Sequence, residues 1–131
     1  MKIKRSKTEK NLWTAFSGES QTKNKYMFFA KIAENEGYSD VASAFNEIAK
    51  QEEDHAKAIF TFLNGIGDTK SNLKRSIQAE NYESKTMYKE YEKVALEEGF
   101  SEIAAFFGEV AKIEEEHEIR YSKLLQNILN K

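Results

Sequence analysis

Two short segments share a pattern suited to metal chemistry: Glu52-Glu53-Asp54-His55 and Glu114-Glu115-Glu116-His117 both read Glu-x-x-His. Residues three apart on a helix share one face about one turn apart, so one metal can take the carboxylate and the imidazole together. Glu19 and Glu80 occupy matching places in the other two long segments. The six residues make the four-carboxylate, two-imidazole set with which helix bundles hold two iron or manganese ions. A single Glu-x-x-His in a Glu-rich chain is an ordinary surface feature. Two of them on apolar seams are not, because desolvating several carboxylates together costs roughly several kcal/mol per ion unless cations compensate.

Glu83 follows Glu80 by three residues, where the first half of the chain has Thr22. It is either a plain surface charge or a fifth carboxylate ligand, and the shared helical face favours the ligand. Five carboxylates with neutral His55 and His117 leave one negative charge in excess around two divalent ions, and one positive charge in excess around two trivalent ions. That near balance suits a redox cycle. Oxygen and imidazole donors do not by themselves separate iron from manganese.

The elements that must carry these residues are long helices. The 131-residue chain has no Pro and six Gly, and Pro is the residue that most reliably stops a helix. Gly37, Gly65, Gly67 and Gly99, beside the candidate caps Ser39 or Asp40, Asp68 or Thr69, and Ser101, divide the chain into segments near 8–36, 39–64, 69–98 and 101–130. Each would be about 40–45 Å long if helical throughout, which outlines a four-helix bundle. The second segment has the seam Val41, Phe45, Ile48, Glu52, His55, Ile59, Phe62, and the fourth repeats it as Ile103, Phe107, Val110, Glu114, His117, Tyr121, Leu124. Trp13, Phe28, Phe29, Phe45, Phe60, Phe62, Phe106 and Phe107 read as core packing.

An internal repeat underlies this symmetry. Glu36-Gly37-Tyr38-Ser39 is echoed by Glu98-Gly99-Phe100-Ser101, and Glu52 and His55 map onto Glu114 and His117 at an offset of 62, whereas Glu19 maps onto Glu80 at 61. The chain therefore reads as one domain over 1–131 made of two helical hairpins, about 8–64 and 69–130. Whether the stretch between them crosses within one chain or exchanges a hairpin with a second chain stays open.

Composition narrows the rest. Twenty Lys and Arg against twenty-two Asp and Glu give a formal charge of −2, which leaves no general field to attract nucleic acid or an anionic membrane. No secretory signal pattern and no apolar run of about 20 residues occurs, so a cytoplasmic, non-membrane protein is expected. Zero Cys rules out disulfides, thiolate nucleophiles and iron held by sulfur within these residues.

The residues then reach a family. Asn11-Leu12, Ala15-Phe16-x-Gly18-Glu19-Ser20-Gln21, Glu36-Gly37-Tyr38, Glu52-x-x-His55-Ala56, Asn72-Leu73, Glu80-x-x-Glu83, Met87-Tyr88, Glu98-Gly99-Phe100 and Glu114-x-x-His117-Glu118 resemble, in order, the diiron domain of the rubrerythrin family. The resemblance implies a ferritin-like four-helix bundle with two nonheme irons and no heme, held by Glu19, Glu52, Glu80, Glu83, Glu114 and His117. Glu52 and Glu114 would bridge, and His55 and Glu83 would exchange at one iron with redox state. It further implies reduction of hydrogen peroxide to water in oxidative-stress defence, and a homodimer, for which the apolar residues spread around the helices also speak.

Tyr26 and Tyr88 take the places of family tyrosines near the metals, as core aromatics or as proton donors. Rubrerythrins commonly carry a rubredoxin-like domain whose four Cys hold an electron-donating iron. This Cys-free chain looks like a short form, which points to a separate electron-transport partner such as a rubredoxin-like protein. Two other chemistries share such ligands: a ferroxidase, which would need a shell or cavity for its product, and manganese-dependent disproportionation of peroxide.

Overall fold

A computed structural model of the chain describes residues 2–131. These form α1 (Lys7–Asn35), α2 (Ser39–Phe62), α3 (Thr69–Tyr82), α4 (Tyr88–Glu97) and α5 (Ser101–Leu129), with a π-helical turn, Glu83–Met87, joining α3 to α4. No strand occurs among the described residues. The fold class is all-α, as the spacing predicts. The chain divides into two compact units, Met1–Ile66 and Gly67–Lys131. In the first, α1 packs on α2; in the second, α3, the π-turn and α4 pack on α5.

The hairpin loops are built alike because their sequences are. Gly37 (φ 87°) and Gly99 (φ 85°) take the left-handed conformation that ends a helix. The next backbone N–H then closes the turn, Tyr38 N donating to Ala33 O and Phe100 N to Ala95 O, both at 2.8 Å. Gly99→Ala is expected to cost about 1 kcal/mol, read as a lower urea midpoint.

Two of the capping expectations change. Asp68 caps α3, its carboxylate accepting from Ser71 N at 2.9 Å, and Ser6 caps α1, accepting from Glu9 N. By contrast α2 and α5 begin after Tyr38 and Phe100 with no side-chain cap, so Ser39, Asp40 and Ser101 do not serve. The reversal is so tight that the residue closing one helix also precedes the next, and an aromatic ring at that place offers the helix no carboxylate or hydroxyl.

The buried residues of the first hairpin are Ala30, Ala33, Ala42, Ala49 and Ala56; those of the second are Ser84, Ala95, Ala104 and Ala111. Small side chains along one line let two helices approach closely. The large rings expected in a core are largely exposed within the chain, with Phe28 at 67%, Phe106 at 61%, Phe62 at 55% and Trp13 at 48%. A pair of helices has one line of contact and cannot enclose such rings, so each hairpin keeps an apolar face. Some rings gain partial cover, as where Phe16 stacks on Phe60 with centroids 4.8 Å apart.

The third segment, expected as one continuous helix, is interrupted by the π-turn. In the repeat, Ser84, Lys85 and Tyr88 match Thr22, Lys23 and Tyr26 at an offset of 62, whereas Glu80 matches Glu19 at 61. Glu83 is therefore an added residue and not a replacement of Thr22. A π-turn absorbs one extra residue while keeping both flanking helices in phase. Tyr26 accordingly packs on Phe45 (5.5 Å) and Tyr88 on Phe107 (5.9 Å), equivalent pairs on either side of the repeat.

Candidate metal centre

Each hairpin gathers one half of the ligand set. In the first, α1 supplies Glu19 and α2 supplies Glu52 and His55, with ligand atoms all within 4.8 Å of one another. His55 Nδ1 lies 3.7 Å from Glu19 Oε2. In the second, Glu80 from α3 meets Glu114 and His117 from α5 within the same limit, and His117 Nδ1 lies 3.4 Å from Glu80 and 3.8 Å from Glu114. Helical spacing explains both groups: Glu and His three apart on one helix face the carboxylate of the helix opposite.

The electrostatics of the second hairpin is that of carboxylates sharing protons. Burial first, then hydrogen bonding to Glu114 and that group's charge, push Glu80 up to about 7. The same causes raise Glu83. Glu114 moves down, because Glu80 and Glu83 hydrogen-bond to its charged form. Tyr88 is raised, by burial first and then by the charges of Glu114 and Glu83, so its hydroxyl stays protonated beside the acidic cluster. Tyr26 packs among Phe29 and Phe45 in the first hairpin.

These residues fit metal ions on an observation of their own. Glu19 Oε2 and Glu80 Oε2 are buried side-chain oxygens without a hydrogen-bond partner among the described residues, and Glu19 and Glu80 each belong to one of the two Glu/His groups. A buried acceptor left unsatisfied is costly, and a cation removes that cost. The two groups fit a two-metal site made of oxygen and imidazole donors, and with no Cys in the chain no iron is held by four thiolates here.

A pH dependence follows from Glu80. Its value is raised from 4.5 to about 7, so the folded hairpin holds a proton that the unfolded chain releases. The stability this confers is complete below about 4.5 and is lost as pH rises through about 7. Glu114, lowered, acts in the opposite sense but only below its ordinary value of 4.5. Metal-free protein is expected to melt at lower temperature at pH 8 than at pH 5.5, and Glu80→Gln is expected to flatten that slope in a calorimetric series.

The π-turn, and the hydrogen bonds made across it to α5, are not anticipated from the sequence. Asn81 Nδ2 donates to Glu118 Oε2 at 2.8 Å, and Lys85 Nζ donates to Glu118 Oε1 at 3.0 Å. The signal was present as the change of repeat offset from 61 to 62 within eight residues. Among the described residues no helix is long and apolar enough to cross a membrane.

Two helical hairpins, each bringing a Glu from one helix and Glu-x-x-His from the other, fit the class of carboxylate and histidine metal proteins. Comparison with known proteins makes the class specific. The rubrerythrin family profile matches residues 10–125. The chain is 46% identical over 139 residues to a rubrerythrin of Porphyromonas gingivalis, covering 96% of this chain and 70% of that one. It is 40% identical, over 96% of its length and 73% of the relative's, to a rubrerythrin of Nitratidesulfovibrio vulgaris. The structure of symerythrin from Cyanophora paradoxa, reduced with dithionite, aligns with a TM-score of 0.47 at 23% identity, covering 91% of this chain and 83% of that one. The chain belongs to the rubrerythrin family.

Proposed function

We propose that the protein is a nonheme diiron peroxidase that reduces hydrogen peroxide to water with electrons from a separate donor protein. The observation that carries the metal reading is the pair of buried, unpartnered oxygens, Glu19 Oε2 and Glu80 Oε2, each set against a Glu-x-x-His. Family membership supports peroxide as the substrate. Glu19, Glu52, His55, Glu80, Glu83, Glu114 and His117 would hold the two ions. When bound, the ions supply the two electrons that convert peroxide and two protons into two waters.

The chain's own residues supply the rest. Glu83, the added carboxylate, gives the second hairpin one more anionic donor than the first. Tyr88 keeps its proton beside Glu114 and Glu83, so its hydroxyl would donate a hydrogen bond, and a proton, to peroxide entering beside these carboxylates; Tyr26 is its counterpart in the first hairpin. The donor is an electron-transport protein, rubredoxin-like in kind, that restores the reduced state.

The assembly that best supports such a centre is a homodimer with exchanged hairpins. Ferritin-like bundles contain one long crossover connection, which brings the two ligand sets level. From Glu52 to the end of α2, and from the start of α3 to Glu80, are together about 31 Å of helix. The six connecting residues 63–68 reach at most about 25 Å when fully extended. A second copy supplies the missing half without that crossover. The rubrerythrins of P. gingivalis and N. vulgaris align over 139 positions against a chain of 131, so they carry inserted residues that this chain lacks.

The test is anaerobic loading with ferrous iron, a count of metal per chain, and stopped-flow mixing with peroxide or oxygen. Two irons per chain, oxidised much faster by peroxide, is the expected result. Faster oxidation by oxygen with continued uptake would make the protein a ferroxidase. Disproportionation by the manganese form alone would make it a manganese enzyme, and absence of bound metal would overturn every one of these readings.

A further inference from the structure

The second hairpin differs from the first by a linked set of changes. It has the added Glu83, the π-turn that accommodates it, and Glu118 on α5 where the repeat places Ala56 on α2. Ala56 is buried in its hairpin and offers no acceptor. Lys23, the counterpart of Lys85, turns instead to Glu53 at 3.5 Å. Both oxygens of Glu118 are engaged, one by Asn81 just before the π-turn and the other by Lys85 within it. The Glu118 side chain is only 16% exposed.

A π-turn sacrifices regular helical hydrogen bonding, and the added residue can be taken up at any of several neighbouring positions unless a contact from outside the helix fixes where the turn forms. Glu118 grips the two positions that flank Glu83, one on each side. We propose that Glu118 is a positioning residue: by clamping Asn81 and Lys85 it holds the π-turn open and keeps the Glu83 carboxylate turned toward Glu114. It does so without touching Glu83 and, with both oxygens already taken, without being a metal ligand itself. This inference rests on Glu83 being a ligand only for its consequence in metal binding. The clamp itself is independent of that reading.

The experiment uses the full chain and the variants Glu118→Gln, Glu118→Ala and Lys85→Met, with Glu115→Gln as an exposed control on the same helix. In metal-free protein, amide exchange at residues 83–88 is expected to accelerate about tenfold or more in the Glu118 and Lys85 variants. Exchange elsewhere in the hairpin, and in the control, should stay unchanged. Cobalt(II) titration then supplies a double-mutant cycle: Glu83→Gln should weaken binding in the parent and add little in Glu118→Ala. Unchanged exchange in the π-turn, acceleration spread over the whole hairpin, or fully additive effects of the Glu83 and Glu118 substitutions would overturn the proposal. If the protein bound no cobalt at all, the metal reading would fall while the exchange data still decided the clamp.

Discussion

On the proposed function, when a Glu52→Ala chain and a Glu114→Ala chain are co-expressed, about a quarter of the wild-type metal sites and of the proposed peroxidase activity should return, although each variant alone has almost none. The expectation follows from symmetry. In a dimer with exchanged hairpins, each site takes its first hairpin from one chain and its second from the other. A mixed dimer then has one site with both lesions and one with neither. Random assembly makes about half the dimers mixed, each with one intact site of two, hence the quarter. If each chain closed its own site, every site in every dimer would carry a lesion and nothing would return. Metal analysis of the separated heterodimer gives the same answer without an activity assay. The physical basis is the short connector, six residues at 63–68, so lengthening it with about 12 flexible residues should let a chain close on itself and shift the dimer toward monomer on sedimentation.

Deletion of Glu83 should leave a folded protein that has lost most of the proposed peroxidase activity. Removing one residue from an ordinary helix rotates everything beyond it by about 100° and carries its apolar face away from the core. Here the residue removed is the one the π-turn absorbs, so α3 and α4 should join as one continuous helix with Tyr88 still against Phe107. The second hairpin would then repeat the first, with Ser84 standing as Thr22 does. Circular dichroism and melting temperature should change little, whereas deletion of Lys25 from the middle of α1, which holds no π-turn, should abolish folding. Peroxide turnover is expected to fall roughly 100-fold, within the range seen when groups that tune a metal site are lost. Glu83→Gln, which keeps the turn, should fall comparably. A Glu83 deletion that failed to fold, or one that kept full activity, would show that the turn is not an insertion or that the carboxylate is not needed.

Much of this was legible in the residues. Absence of Pro and the placement of Gly37 and Gly99 marked the helices and their reversals, because those residues govern where a backbone can turn. The spacing of Glu52 with His55 and of Glu114 with His117 marked each half of the ligand set, because a helix puts residues three apart on one face whatever surrounds it. Side-chain caps at Ser39, Asp40 and Ser101 were expected and are absent, since the Gly-led reversal leaves no residue free to cap. Of the large aromatics read as core, Phe45, Phe60 and Phe107 are half-buried whereas Trp13, Phe28, Phe29, Phe62 and Phe106 are exposed in the chain, since an apolar pattern says that a face is to be covered and not what covers it.

Local periodicity, chain reversal and the identity of the donor atoms were thus determined by the sequence itself, through interactions between neighbours in the chain. The tertiary structure decided what depends on residues far apart: which oxygens, Glu19 Oε2 and Glu80 Oε2, are buried without a partner, which side chains share protons around Glu114, and how one added residue is taken up. Repeat arithmetic located that addition to within a turn of helix. Only packing against α5, with Glu118 gripping Asn81 and Lys85, settled where the π-turn forms, because the added residue can be taken up at any of several neighbouring positions and a contact from outside the helix is needed to fix one.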